Sequence, residues 1–161
     1  MSLKPNAVCN IHFIPPHCQE VIGGVYATAV AEGAPVNALA AVPSTFEYQE
    51  WKLVPVEGKR NAYLIQSTKI FSADHAPLGF SLQDSTVIAG KEVVLGINGS
   101  EWQLMEVNGL YAIQANLNNP HIIGVTYYIG VSDDGKLVLK PCAITPASFA
   151  NRPTWQFNIQ N

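Results

Sequence analysis

Apolar and polar positions along the chain alternate in short runs of four to eight residues, and these runs are broken repeatedly by Gly, Pro, Asn and Asp, the pattern of brief β-strands joined by turns. Three of the breaks are followed by nearly the same phrase: Glu50-Trp51-Lys52-Leu53, Glu101-Trp102-Gln103-Leu104 and Thr154-Trp155-Gln156-Phe157. Every tryptophan of the chain is used in this way, and each Trp-x-apolar step puts two large residues on one face of a strand. After the first two copies comes a turn and a second shared strand, Tyr63-Leu64-Ile65-Gln66 after Glu57-Gly58 and Tyr111-Ala112-Ile113-Gln114 after Asn108-Gly109. The remaining runs predict strands at 25–30, 79–83 and 127–132, and again at 36–42, 92–97 and 137–142. Asp133-Asp134-Gly135 joins the last pair as a hairpin turn. Only 26–32 could be argued as helical, and Thr28, Val30 and the following Gly33 count against it.

The tryptophans stand about a third of the 161-residue chain apart, so the period accounts for its whole length. Three repeats, roughly 1–56, 57–107 and 108–161, with about four short strands each, predict one all-β domain of the β-trefoil class with about twelve strands and almost no helix. A sandwich has no reason to repeat in threes, and a propeller with blades of this length needs more copies. At equivalent positions the tryptophans read as anchors of a shared core, which tells of fold and not of function.

Composition narrows the function classes. Hydrophobic residues make up 48% and charged residues 13%, with twelve Gly and eleven Pro, which excludes a disordered chain. A net charge of -3 with no run of either sign argues against a nucleic-acid surface. No apolar stretch approaches the roughly 18 residues needed to span a bilayer, and the start, Met-Ser-Leu-Lys-Pro-Asn, carries no secretory leader, so a cytoplasmic location away from membranes is the expectation. Cys9, Cys18 and Cys142 are odd in number, which rules out a fully paired intramolecular set. Asn98-Gly99-Ser100 matches a glycosylation sequon and reads first as a turn.

Catalytic motifs are absent, and no enzyme is expected: the chain has no G-x-S-x-G, H-E-x-x-H or P-loop, and no G-x-G-x-x-G after a strand. The four His residues, at 12, 17, 75 and 121, are scattered. Cys9, His12, His17 and Cys18 place four zinc-ligand types within ten residues, but the spacing is irregular. Solvated loop groups and a packed Cys are the favoured reading, so neither a metal nor a cofactor is expected. Long connections remain. The one from 13 to 24 carries two prolines and then Ile22-Gly23-Gly24, whose glycines allow a backbone approach that side chains would block. The one around Val42-Pro43-Ser44-Thr45-Phe46 is small apart from one aromatic. A third, 67–78, carries Lys69, Phe71, Asp74, His75 and Pro77.

Several segments resemble the mycocypins, the mushroom β-trefoil protease inhibitors, and within them the clitocypin branch most. The resemblance is carried, in order, by Gly23-Gly24-Val25-Tyr26-Ala27-Thr28, Glu32-Gly33-Ala34-Pro35-Val36, Gln49-Glu50-Trp51, Val87-Ile88-Ala89-Gly90, Ile129-Gly130-Val131, Leu137-Val138 with Lys140, and Arg152-Pro153-Thr154-Trp155-Gln156-Phe157. It implies reversible inhibition of papain-like, cathepsin-type cysteine proteases by two loops wedged into the active-site cleft. Gly23 and Gly24 match the first inhibitory loop, and Glu20, Val21, Ile22 and Val25 accompany them by position. Pro43, Ser44, Thr45 and Phe46 correspond to the second loop. Small residues would let the backbone near the catalytic cysteine without presenting a scissile bond, and a rigid scaffold would limit the entropy lost on binding.

In the third loop the family inhibits asparaginyl endopeptidase through an Asn. Here no Asn lies between Ser67 and Leu78, and Asp74 or His75 falls near its place. A protonated Asp could mimic Asn weakly at acidic pH, while Lys69 suits the anionic pocket of a trypsin-like serine protease. The competing reading is a carbohydrate-binding trefoil, a lectin. Against it, Gln-x-Trp occurs in only one repeat, as Gln49-Glu50-Trp51, with no recurrent Asp. Kunitz-type trefoil inhibitors bring paired cysteines, which this chain does not offer.

Overall fold

The structure is a computed structural model that describes residues 3–16, 23–71, 74, 76–116 and 124–161. Twelve strands run along it: β1 (Val8–Ile14), β2 (Tyr26–Thr28), β3 (Asn37–Leu39), β4 (Trp51–Pro55), β5 (Ala62–Ser67), β6 (Leu78–Ser81), β7 (Val94–Ile97), β8 (Trp102–Val107), β9 (Leu110–Ala115), β10 (Val125–Val131), β11 (Leu137–Ala143) and β12 (Thr154–Ile159). All pairings are antiparallel. Strands β1, β4, β5, β8, β9 and β12 pair in that order, and β12 returns to β1, so six strands close a barrel. Closure leaves those six without a free edge. The pairs β2–β3, β6–β7 and β10–β11 form three hairpins. Single bridges tie the hairpins to one another, Pro35 to Val94, Asn37 to Lys136 and Glu92 to Val138, so they form a threefold cap over one end of the barrel.

The tryptophans join the two layers. Trp51, Trp102 and Trp155 are fully buried on the fourth strand of each repeat. Each indole N–H donates to a carbonyl on the second strand of its own repeat: Ala27 at 2.9 Å, Phe80 at 3.0 Å and Ile129 at 2.9 Å. One residue type at one position thus fills the core and fixes the cap to the barrel three times over. Around them lie Ile11, Leu53, Ile65, Leu95, Leu104, Ile113, Leu137 and Leu139, all in one buried cluster.

The turns follow from local chemistry. Asn108 and Gly109 both have positive φ (52° and 81°) between the paired residues Val107 and Leu110, a two-residue hairpin loop whose twist suits the strands. Asn98 and Gly99 also have positive φ (63° and 78°), in a bend between β7 and β8 where the sequence predicts a turn, and the flanking N–H groups of Asn98 and Ser100 donate to the Pro77 and Phe80 carbonyls. Strands β2 and β3 are shorter than the runs 25–30 and 36–42 predict, because the residues beyond them are bonded outside the hairpin. The Ala29 N–H donates to the Tyr48 carbonyl, and the Ala40 carbonyl accepts from two side chains. The segment 26–32 is strand and then turn. Among the described residues the one α-helix is the four-residue α1 (Pro146–Phe149), which starts at Thr145, whose hydroxyl caps the Ser148 N–H with Pro146 in the first turn. Among the described residues no helix is long and apolar enough to cross a membrane.

Candidate functional site

The loops singled out in the sequence leave the molecule from one small region. Phe13 at the end of β1 donates its N–H to the Val25 carbonyl, and Tyr26 pairs with Leu39 across β2 and β3. Val25, where the first loop ends, and Ala40, where the second begins, are therefore the next residues past one paired rung. Gly23 and Gly24 have φ of 86° and 80°, and a Cβ on Gly23 would meet nothing within 4 Å. Glycine is needed there for the backbone and not for want of space. Val25 is half-buried against the core. Glu20, Val21 and Ile22 lie outside the described residues, as do His17 and Cys18.

The second loop is built as a rigid turn. The Thr45 hydroxyl accepts the Val42 N–H at 3.2 Å and lies 3.1 and 3.0 Å from the Ala40 and Val42 carbonyls, to which it donates. A short 3-10 turn, Phe46–Tyr48, follows. Pro43 and Ser44 are exposed, and with Leu39, Val42 and Phe46, the last 52% exposed, they present an apolar ridge. Beneath it Gln49 is buried, and its amide donates to the Thr28 hydroxyl at 3.0 Å and to the Leu39 and Ala40 carbonyls at 3.2 Å each. Gln49 therefore pins the return of the second loop to the hairpin from which both loops spring. Gln49→Ala removes all three of these buried hydrogen bonds, and a loss of about 2–3 kcal/mol is expected in urea unfolding.

The third loop leans on the second. The Lys69 ammonium lies 2.9 Å from the Glu47 carboxylate and 4.9 Å from the centre of the Tyr48 ring, and Phe71 meets the same ring at 6.2 Å. The hydrogen bond that the Lys69 ammonium donates to Glu47, more than the charge of that carboxylate, holds the Lys69 pKa above the ordinary lysine value. A raised pKa means that the tie is complete below the ordinary value of about 10.4 and is lost as pH rises through the folded one. Lys69 is thus engaged inside the protein, and entering an anionic protease pocket would break both contacts. Asp74 is exposed, and His75 lies outside the described residues. The apolar residue at the exposed part of this loop is Ile70, 61% exposed.

Sequence reasoning missed Gln49 as an anchor and Glu47 and Tyr48 as partners of Lys69. The Gln49-Glu50-Trp51 phrase stood out only as a motif, and nothing linear links positions 47 and 69.

The remaining candidate groups are structural. Cys9 is buried, and desolvation pushes its thiol up to about 12, so it is not a nucleophile at neutral pH. Burial also raises the Cys142 thiol, against the lowering effect of Arg152. Cys9 and His12 stand an odd number of residues apart on β1, so their side chains point to opposite faces. His12 is stacked on Tyr26, ring centres 4.5 Å apart. Cys9 and His12 therefore cannot grip one ion, and among the described residues no group of three metal-ligating side chains occurs.

Architecture and loops together define a β-trefoil with a braced loop cluster built from its first repeat and the start of its second. A sequence profile of the peptidase inhibitor clitocypin family matches residues 10–157, and the chain belongs to that family. No curated protein matches it in sequence. Among solved structures it is similar to the Rhizoctonia solani agglutinin, with TM-score 0.64, 16% identity, and 99% of each chain covered. It is similar also to a designed threefold-symmetric protein, ThreeFoil, with TM-score 0.57, 13% identity, and 94% and 97% covered. A mosquitocidal holotoxin matches with TM-score 0.62 and 19% identity over 99% of this chain but 18% of the toxin. At such identities these likenesses define the fold alone.

Proposed function

We propose that this chain inhibits papain-like cysteine proteases reversibly, by lodging two adjoining loops in the active-site cleft. The first would contribute Glu20, Val21, Ile22, Gly23, Gly24 and Val25, and the second Pro43, Ser44, Thr45 and Phe46. The observation that supports this most is the bracing: Gln49 and Thr45 together lock the second loop to the hairpin beside which Gly23 and Gly24 emerge. A surface held in shape before it binds loses little entropy on docking. Exposed Leu39, Val42 and Phe46 supply apolar area to bury, and backbone lacking side chains at Gly23-Gly24 can approach a catalytic thiol closely. In a binding assay, papain whose cleft is filled by a covalent peptidyl inhibitor should lose its affinity for this chain. Undiminished binding would place the contact elsewhere.

The third loop belongs to this proposal as a support and less as a second reactive site. Lys69 braces the second loop, so Lys69→Met should weaken papain inhibition by less than about fivefold, as exposed ion pairs contribute little. Trypsin inhibition abolished by the same change would instead make Lys69 a specificity residue. Asp74 and His75 would carry any weak action on asparaginyl endopeptidase.

A second reading, carbohydrate binding, has one supporting observation. A cavity of about 270 Å3 beside the second loop is lined by Asn10, Tyr26, Glu50, Asn158 and Gln160, among others. Amides, a carboxylate and a ring face are sugar-binding chemistry. Specific glycan-array signals lost in Tyr26→Ala would support it.

A further inference from the structure

Where the 13–24 connection leaves β1, a cleft of about 450 Å3 opens between the end of that strand, the β10–β11 hairpin and the segment carrying α1. Phe13, Pro16, Val131 and Pro153 give it apolar walls. Among the described residues the charged side chains lining it are Lys140 and Arg152, with no carboxylate beside them, on a chain whose net charge is -3. Among the described residues neither cation takes part in an ion pair.

Both cations are held in place by the fold. Lys140 pairs with Tyr128 across β10 and β11, so the two side chains share a face. Its stem lies over Gly130, where a Cβ would come within 2.7 Å of the Lys140 Cγ and 3.1 Å of the Pro153 Cγ. The absent side chain at Gly130 is what lets the lysine lie along the wall. The Arg152 guanidinium stands over the rings of Phe149 at 5.0 Å and Tyr128 at 5.8 Å. Ring faces offset part of the cost of withdrawing it from water, but its buried Nε has no hydrogen-bond partner among the described residues. An under-satisfied guanidinium and an ammonium lining one apolar-walled cleft, with no carboxylate among the described residues around them, are the chemistry of an anion receptor.

We propose that this cleft binds a small organic carboxylate with an apolar body, the carboxylate held between Lys140 and Arg152 and the body against Phe13, Pro16, Val131 and Pro153. The guanidinium fork matches a carboxylate's two oxygens, and the apolar walls favour an organic acid over a bare inorganic ion. The cleft's two cations lie outside both proposed inhibitory loops, while Phe13 and Pro16 belong to the connection that carries the first.

The test is a titration of the full chain, isotope-labelled for NMR, with benzoate, and in parallel with benzamide, acetate and inorganic phosphate. Saturable benzoate shifts at Val131, Lys140 and Ala143 are expected, with each of the other three binding at least about tenfold more weakly. Arg152→Gln should weaken benzoate by about tenfold or more. Because Arg152 also packs on two rings, Lys140→Gln, at an exposed strand position, is the decisive variant, and a similar loss is expected. Benzoate shifts that do not saturate, or an affinity unchanged in Lys140→Gln, would overturn the proposal. So would benzamide binding equally, since no anion would then be read. Acetate or phosphate binding as tightly as benzoate would overturn the organic acid in favour of a bare oxyanion.

Discussion

Gly24→Trp is expected to raise the concentration of this protein needed to half-inhibit papain by at least about a hundredfold, with the fold intact. Two effects act together. At φ of 80° any side chain strains the backbone, by about 1–2 kcal/mol, and an indole adds bulk where a loop must enter a narrow cleft. The strain falls at the periphery, one residue before Val25 rejoins the hairpin, so global stability should change by no more than that amount. Gly24→Ala separates the two effects, since it carries the strain with little bulk, and its inhibition should lie between the parent and the tryptophan variant. Unchanged inhibition by folded Gly24→Trp would remove the first loop from the mechanism.

The largest expected effect on stability is that of Trp102→Ala, about 3–5 kcal/mol in urea unfolding. Trp102 is fully buried, and its removal opens a cavity and strips the Phe80 carbonyl of its partner. A domain of this size is stable by about 5–15 kcal/mol, so the variant would sit near the edge of folding. Trp102→Phe keeps most of the volume and loses the N–H, for which about 1–2 kcal/mol is expected. Trp102 belongs to the second repeat, remote in sequence from both proposed inhibitory loops, so inhibition per folded molecule should be unaltered. A loss below about 1 kcal/mol for the alanine variant would contradict the role of the tryptophans as ties between cap and barrel.

The threefold plan was legible because the same demand recurs three times: one large residue must fill the core and reach a carbonyl in the cap, and tryptophan meets it each time. Hairpin turns such as Asn108-Gly109 were legible because positive φ restricts the residues that can stand there. The ends of β2 and β3 were not, since the side chains of Gln49 and Thr45 fold back from the loop that follows and draw Ala40 out of the ladder, a contact that no hydrophobic pattern records. The loop cluster was legible only as residues that could approach a cleft. What makes it rigid is tertiary, since Gln49 acts across ten residues on Leu39 and Lys69 across the gap to Glu47. The basic cleft was hidden for the same reason. Lys140 and Arg152 meet through the register of β10 and β11 and the path of the chain after α1, neither of which leaves a motif.

The most direct test of the account is a titration of the purified protein into active papain with a fluorogenic substrate, run beside trypsin and asparaginyl endopeptidase. Inhibition of papain near one-to-one stoichiometry, reversed on dilution, with the other two enzymes essentially unaffected, is the predicted result. Full papain activity in the presence of a large excess of folded protein would contradict it.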